Sequence, residues 1–571
     1  MDETTVTGPY QTKKYYHYGA DQNAFENEIW HYRFSYLGLL AEEHTYSLSN
    51  QLLEKKLSKW GQRKISDELF WHAGPGDDTW GESTYAPILL GEYISRDNAE
   101  AGYTRGVVYS GHDDYGNPAT ISEHVNMGGL DFSEIVKSME YYNDTSAWIL
   151  GLVRKETQTA GEKIVITENT YDTYGNVLTS TVNNLTTTYS YHDTGDLASV
   201  KDPMANTVSY TNYKRGTARS ESHPEGVSIS RDINDSGTIS SETNANGNIT
   251  SYQYDSANRI TSITHPLNSP VSISYSNTSR ILNRGGFKQV SNFDSLGRRV
   301  NEIYSDESAG NTIKKVFKYD ALGRMIFESN PDSSSSSVGK RHEYDALGRR
   351  TKTTLQDSSI YTIAYNDLSE THTDELGRET IYTYLNFGVG ADMLYQTLQP
   401  DGVTTMIYRN MQGQPTQIFQ GTPHESGGYV GWERNYIYDD LFRLISEEDP
   451  ESGIRSYTYD DNGNRTSETL ADDSIKSFQY DELSRLTHIV YENDADITYE
   501  YSPASEIKKI TNGNSTRRYV YDNNGSLTSE SLTIDDKTYT TAYTYDSLDN
   551  LSSLTYPTGR IVNYNPNGFG W

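Results

Sequence analysis

A period of about 21 residues runs through most of this chain and constrains its fold more than any other feature. Its most literal trace is the hexapeptide YDALGR, which occurs at 319–324 and again at 344–349. Anchored on the residue four before the turn glycine, or its substitute, the series runs Tyr171, Tyr191, Asn212, Ile233, Tyr254, Tyr275 and Phe293. It resumes at Tyr319 and Tyr344, loosens, then tightens again at Tyr438, Tyr459, Tyr480, Tyr501, Tyr521, Tyr545 and Tyr564. Such a period signals an array of like units, none of which buries its apolar face alone.

Within one period the residues follow a β-hairpin pattern. A second aromatic or aliphatic residue stands two positions before the anchor, as in Tyr252/Tyr254, Tyr436/Tyr438, Phe478/Tyr480 and Tyr543/Tyr545. Residues two apart share one face of a strand. After the anchor come turns such as DALGR, DDNGN or DNNGS, and then another alternating run. Asp hydrogen-bonds the backbone two residues on, and Gly, or Asn as at Asn258, tolerates the positive φ of such turns. The motif positions are Tyr254 and Asp255; Tyr319, Asp320, Gly323 and Arg324; Tyr344, Asp345, Gly348 and Arg349; and Tyr438 with Asp439. Further on they are Tyr459, Asp460 and Gly463; Tyr480 and Asp481; Tyr521, Asp522 and Gly525; and Tyr545 with Asp546. Tyr is expected to pack the sheet face while Asp and Gly make the turn. Hairpins laid side by side pair their edges and stack their tyrosines. The expected fold is therefore all-β, a long antiparallel sheet of hairpins that coils because strands twist.

Composition agrees with a thin sheet. Only 34% of residues are hydrophobic, and 48 tyrosines stand against 13 phenylalanines, which suits half-buried sheet better than a thick aliphatic core. The formal charge of -31 is spread along the chain and argues against nucleic-acid binding. No stretch approaches the roughly 18 apolar residues of a membrane span. The acidic, polar start is unlike a secretory signal, so either export uses a route not visible here or the true start lies elsewhere. The absence of cysteine removes disulfides, thiol catalysis and Cys-ligated zinc together.

Two regions are expected: residues 1–165, preceding the regular repeats, and 166–571, the tandem repeats, truncated in mid-array. The first holds six of the 13 histidines and five of the seven tryptophans. It also contains the stretches that read as helical, SLSNQLLEKKLSKWGQ from Ser47 and LDFSEIVKSMEYY from Leu130. Breaks in the period at 331–340, from Asn386 and from Thr422 read as polar loops at hairpin ends. A strand edge left open by truncation would promote self-association.

Candidate chemistry is sparse. His17, His31, His44, His72, His112 and His124 do not pair at metal-ligand spacings, so no metal and no other cofactor is expected. The segment WHAGPGDDTWGE at 71–82, with His72, Asp77 and Asp78, combines groups that line sugar or peptide sites, but reads better as an insertion loop. The adjacent carboxylates Asp472/Asp473, Asp535/Asp536 and Glu447/Glu448 raise glycosidase-like acid and base work. Neighbours on a strand point to opposite faces, so they read as turn or rim charges. The DDNGN turn lacks the alternating ligand pattern of calcium loops. No catalytic residue is assigned.

The strings FKYDALGRMIFESNP from Phe317, HEYDALGRRTKTTL from His342, YTYDDNGNRTSETL from Tyr457 and FQYDELSRLTHIV from Phe478 resemble the YD-repeat, or Rhs-repeat, family. That family includes bacterial Rhs polymorphic toxins, the B and C components of insecticidal toxin complexes, and teneurins. The resemblance spans about Thr167 to the C-terminus; the Tyr-rich segment from Tyr15 is similar, more loosely, to what precedes the repeats in the toxins. It implies a hollow shell of spiralling hairpins holding a toxic polypeptide. The Asp-Pro-x-Gly motif where such shells release their cargo is not matched, since Asp202-Pro203 and Asp449-Pro450 lack the Gly. No catalytic residue is carried over. The expectation is a non-enzymatic, secreted or cell-surface shell section that encloses or presents a C-terminal toxin polypeptide or joins a companion shell component. The alternative is a surface adhesin or carbohydrate-binding repeat protein with cell-surface glycans as partners.

Overall fold

The computed structural model describes residues 2–7, 11–17, 39–66, 84–96, 105–127, 130–161, 163–307, 309–332, 337–366, 368–387, 391–410, 412–424, 426–567 and 569. Among these, 46 strands, from Asp2–Thr7 to Ile561–Asn563, belong to one sheet. The pairings described are antiparallel and join strands adjacent in sequence, as the hairpin pattern requires. By contacts the chain divides into two units, Met1–Asn184 with His342–Leu444 and Glu448–Pro450, and Leu185–Arg341 with Ile445–Glu447 and Glu451–Trp571.

One hairpin shows the local logic. Ile249–Tyr254 pairs with Ile260–Thr264, Tyr252 opposite Ile263 on one face and Gln253 opposite Ser262 on the other. The register slips at the anchor, where Tyr254 meets Ile260, and the same slip recurs at Tyr171, Tyr319, Tyr459, Tyr480, Tyr501, Tyr521 and Tyr545. In the turn after Tyr319, the Gly323 amide donates to the Asp320 carbonyl at 3.1 Å and the Asp320 amide to the Arg324 carbonyl at 2.9 Å. Gly323 takes φ 83°, the left-handed conformation that closes a turn followed by a bulge.

The two faces differ. Tyr499 opposite Ile510 and Tyr543 opposite Leu554 carry the aromatic and aliphatic face. The reverse face is rich in hydroxyls that bond across strands: Ser190 to Ser199 at 2.6 Å, Thr458 to Ser467 at 2.6 Å and Thr544 to Ser553 at 2.7 Å. Little is sealed from water. Phe317 and Phe327 are buried, but among the described residues the largest side chains fully removed from solvent are those of Thr45, Thr404 and Asp306, so this is a single-layer sheet without a thick core.

The helical expectation for the N-terminal region is corrected. Leu52–Ser66 and Leu130–Asp144 are strands, and no α-helix occurs among the described residues; the one helical turn is the 3-10 segment Pro224–Gly226. Leu, Glu and Lys are good helix formers, but propensity is a weak prior that tertiary pairing overrides. Each strand is hydrogen-bonded on both sides, Leu52–Ser66 between Leu40–Ser47 and Thr84–Arg96, and Leu130–Asp144 between Thr120–Met127 and Ile149–Ala160. Two ladders outweigh an isolated helix whose only support would be local.

Candidate functional site

The recurring chemistry of this chain lies in its hairpin turns. In the turn after Tyr319, Asp320 Oδ1 accepts from the amides of Leu322 at 2.9 Å and Arg324 at 3.0 Å, while Oδ2 accepts from Arg324 Nε at 2.7 Å. Asp439 and Asp481 do the same with Arg443 and Arg485. Asp255 does so with Arg259, and Asp345 holds the amide and Nε of Arg349. Asn takes the place of Arg at Asn464 beside Asp460 and at Asn550 beside Asp546. Asp522 keeps the two amide bonds, from Asn524 and Ser526. One carboxylate thus orders both backbone and side chain of a five-residue loop. Gly348, Gly463 and Gly525 hold φ of 84–85° at the position Gly323 occupies.

The anchor tyrosine links one hairpin to the one before. Tyr254 Oη donates to the Ile239 carbonyl at 2.7 Å, Tyr319 to Arg299 at 2.8 Å, Tyr438 to Pro415 at 2.8 Å, Tyr480 to Arg465 at 2.9 Å and Tyr545 to Leu527 at 2.8 Å. This explains the excess of Tyr over Phe, which fills the same space but cannot donate. The turn arginine links forward: Arg259 lies 4.3 Å over the Tyr275 ring, Arg298 5.0 Å over Tyr319, Arg349 4.3 Å over Tyr365 and Arg485 4.9 Å over Tyr501. Tyr254→Phe is expected to cost about 1 kcal/mol, the net value of one such bond, with Tyr254→Leu costing more. Urea unfolding checks both, and a Phe variant as stable as the parent would contradict this role.

The same carboxylates set a pH dependence. The amide and side-chain bonds from Arg259 hold Asp255 below the usual carboxylate range, as those from Arg298 and Arg378 do for Asp294 and Asp374. Burial raises Asp320, but the Arg324 bonds outweigh it and its pKa is lowered too. A depressed folded pKa contributes stability that is present above the unfolded value and lost as pH falls through the folded one. Strand structure is therefore expected to weaken below about pH 4. An unchanged circular dichroism spectrum and unfolding midpoint down to about pH 2 would refute this.

Within the second unit, turns some 258 residues apart clasp one another. Asn462 Nδ2 donates to Asp202 Oδ2 at 2.7 Å, and its Oδ1 accepts from the Met204 amide at 3.4 Å. Asn246 Oδ1 accepts from the Ala504 amide at 3.2 Å, and its Nδ2 donates to Glu506 at 2.9 Å. Asn524 brackets Leu267, accepting from its amide at 3.0 Å and donating to its carbonyl at 3.2 Å. Arg284 pairs with Asp549 and donates to the Leu548 carbonyl at 3.2 Å. The first unit repeats the device where Asn183 Nδ2 donates to the Asp440 carbonyl at 2.9 Å and Lys163 meets the Asp440 carboxylate at 2.8 Å.

The other sequence candidates do not assemble. His44 bonds Glu42 at 2.7 Å and faces Tyr16 and Tyr46, an ordinary strand-face contact. His31, His72 and the segment 71–82 lie outside the described residues, as does the side chain of His124. Among the described residues no three His, Asp or Glu side chains gather as a metal site. Asp535 and Asp536 form a hairpin tip with φ of 47° and 62°, and Asp472 caps the Ser474 amide at 3.1 Å. Glu447 accepts from Tyr457 Oη at 2.8 Å and Glu448 from Asn435 at 3.1 Å.

The family model described as RHS Repeat matches residues 234–269, 438–475 and 459–496. The crystal structure of TcdB2-TccC3-Cdc42 superposes with a TM-score of 0.72 at 10% identity, covering 98% of this chain and 43% of that one. That of TcdB2-TccC3-TEV gives 0.53 at 10% identity, and that of TcdB2-TccC3 without its hypervariable C-terminal region 0.51 at 9%; each covers 96% of this chain and 47% of the other. The chain thus spans less than half the length of these structures. No curated protein sequence matches it.

Proposed function

Since this chain is a YD-repeat, or RHS-repeat, protein folded like the TcdB2-TccC3 structures, we propose that it is a non-catalytic section of a hollow hairpin shell. The shell encloses or presents a C-terminal toxin polypeptide, within a larger protein or beside a companion component, and acts outside the producing cell. The observation that supports this most is the extent of the fold match, 98% of the chain at a TM-score of 0.72. The sheet itself suits the role. A single layer with no thick core is a wall, and its reverse face mixes hydroxyls, as at Thr458, Ser467 and Ser477, with exposed aliphatic side chains such as Ile454 and Ile475 that an enclosed polypeptide could lie against. The turn clasps join successive stretches of that wall without a second layer.

The test is protease protection. The polypeptide carrying this chain is isolated from its native cell, its intact mass compared with 64.4 kDa, and any adjoining C-terminal segment exposed to protease. The segment is expected to resist digestion while the repeats are folded and to become sensitive once they unfold. Digestion at the rate of the free segment would overturn the proposal, as would a native species of 64.4 kDa with no partner bound.

A further inference from the structure

The hairpins of the second unit have two turn margins. One carries the turns that follow the anchors, such as 294–298, 320–324, 460–464, 522–526 and 546–550; the other carries the return turns, such as 202–206, 244–248, 470–474, 513–514 and 535–536. Every clasp described above within this unit joins an anchor turn beyond residue 459 to a return turn before residue 287. None joins like to like. In the last of these clasps a leucine stands at the third position of the anchor turn, where the others carry Asn462, Ala504 and Asn524: Leu548 packs so closely on Gly285 that a Cβ there would lie 3.2 Å from its side chain.

Leu296 and Leu322 hold the same turn position as Leu548. They are 74% and 46% exposed, whereas Leu548 is half-buried. The return margin beyond residue 469 is likewise clasped by no anchor turn of this unit among the described residues. The apolar part of the Leu548–Gly285 contact is thus presented again, a third-position leucine on one margin and a glycine, Gly513, at a return turn on the other. We propose that the anchor-turn margin carrying Leu296 and Leu322 docks the return margin, turns 470–474, 513–514 and 535–536, of a second copy of this chain. The contact is head-to-tail, so copies add into an open chain or, where the rotation closes, into a ring. It rests on the turn contacts alone, independently of the cargo reading.

Sedimentation velocity of the full chain across concentration tests this. Species heavier than 64.4 kDa are expected to grow with concentration. They should strengthen with salt, which screens the repulsion between copies of formal charge -31. Leu296→Asp with Leu322→Asp is expected to weaken association by roughly tenfold or more per leucine, with circular dichroism and thermal midpoint unchanged. Asn514→Tyr, on the opposite margin, is expected to weaken it as well by bulk. A parent chain that stays monomeric at every concentration would overturn the proposal. So would association that neither set of substitutions alters, which would place the contact at open strand edges instead.

Discussion

Gly431→Ala is expected to lower stability by about 3 kcal/mol or more, the largest effect of any single substitution considered. Gly421 and Gly431 face each other across Pro415–Pro423 and Tyr429–Tyr438. A Cβ on Gly431 would sit against the Gln420 carbonyl oxygen and the Gly421 Cα, closer than real Cβ atoms approach anything. Neither neighbour is a flexible side chain, so the two strands must part. Gly463→Ala is the control: its φ of 84° makes alanine strained, but nothing lies within 4 Å of the added carbon. It should cost about 1–2 kcal/mol. Urea and thermal unfolding of the two variants check the order, and equal losses would show that backbone conformation rather than close approach sets the cost.

Alkali is expected to unfold the sheet between about pH 10 and pH 12. Burial, together with the bond donated to Glu447, pushes Tyr457 up to about 12; burial and Glu530 do the same to Tyr543. Burial also raises the anchors Tyr254, Tyr438, Tyr480, Tyr501, Tyr521 and Tyr545. A raised folded pKa means that the fold holds the proton more tightly than the unfolded chain does. The stability from these groups is thus complete below about pH 10 and lost as pH rises through the folded values. Ionisation of Tyr254, Tyr438, Tyr480, Tyr501 and Tyr545 also removes the proton each donates to the preceding hairpin. Tyrosinate absorbance and strand circular dichroism should change together in a steep step, and Tyr457→Phe with Tyr543→Phe should make it shallower. Tyrosinate forming near pH 10 with the strands intact would refute this.

Tyr, Asp and Gly at the spacing of residues 319–324 mark the turn because its requirements are local: a carboxylate reaching amides two and four residues on, and one residue able to take positive φ. Arginine recurs after the glycine, yet its reach to the next repeat's tyrosine was not legible, because register decides which ring it meets. The tyrosine hydroxyl was equally hidden. Its acceptor is a backbone carbonyl, which has no signature in residue type.

The repeating hairpin, its turn chemistry and the all-β class are legible in the residue pattern, since period-two alternation and turn residues act over a few positions. The folded arrangement alone makes strands of the segments Leu52–Ser66 and Leu130–Asp144, because the ladders on both sides of each are not written in their own residues. It alone decided which turns meet. A clasp such as Asn462 with Asp202 joins groups 260 residues apart, and the twist accumulated over many strands, rather than any local motif, brings them together.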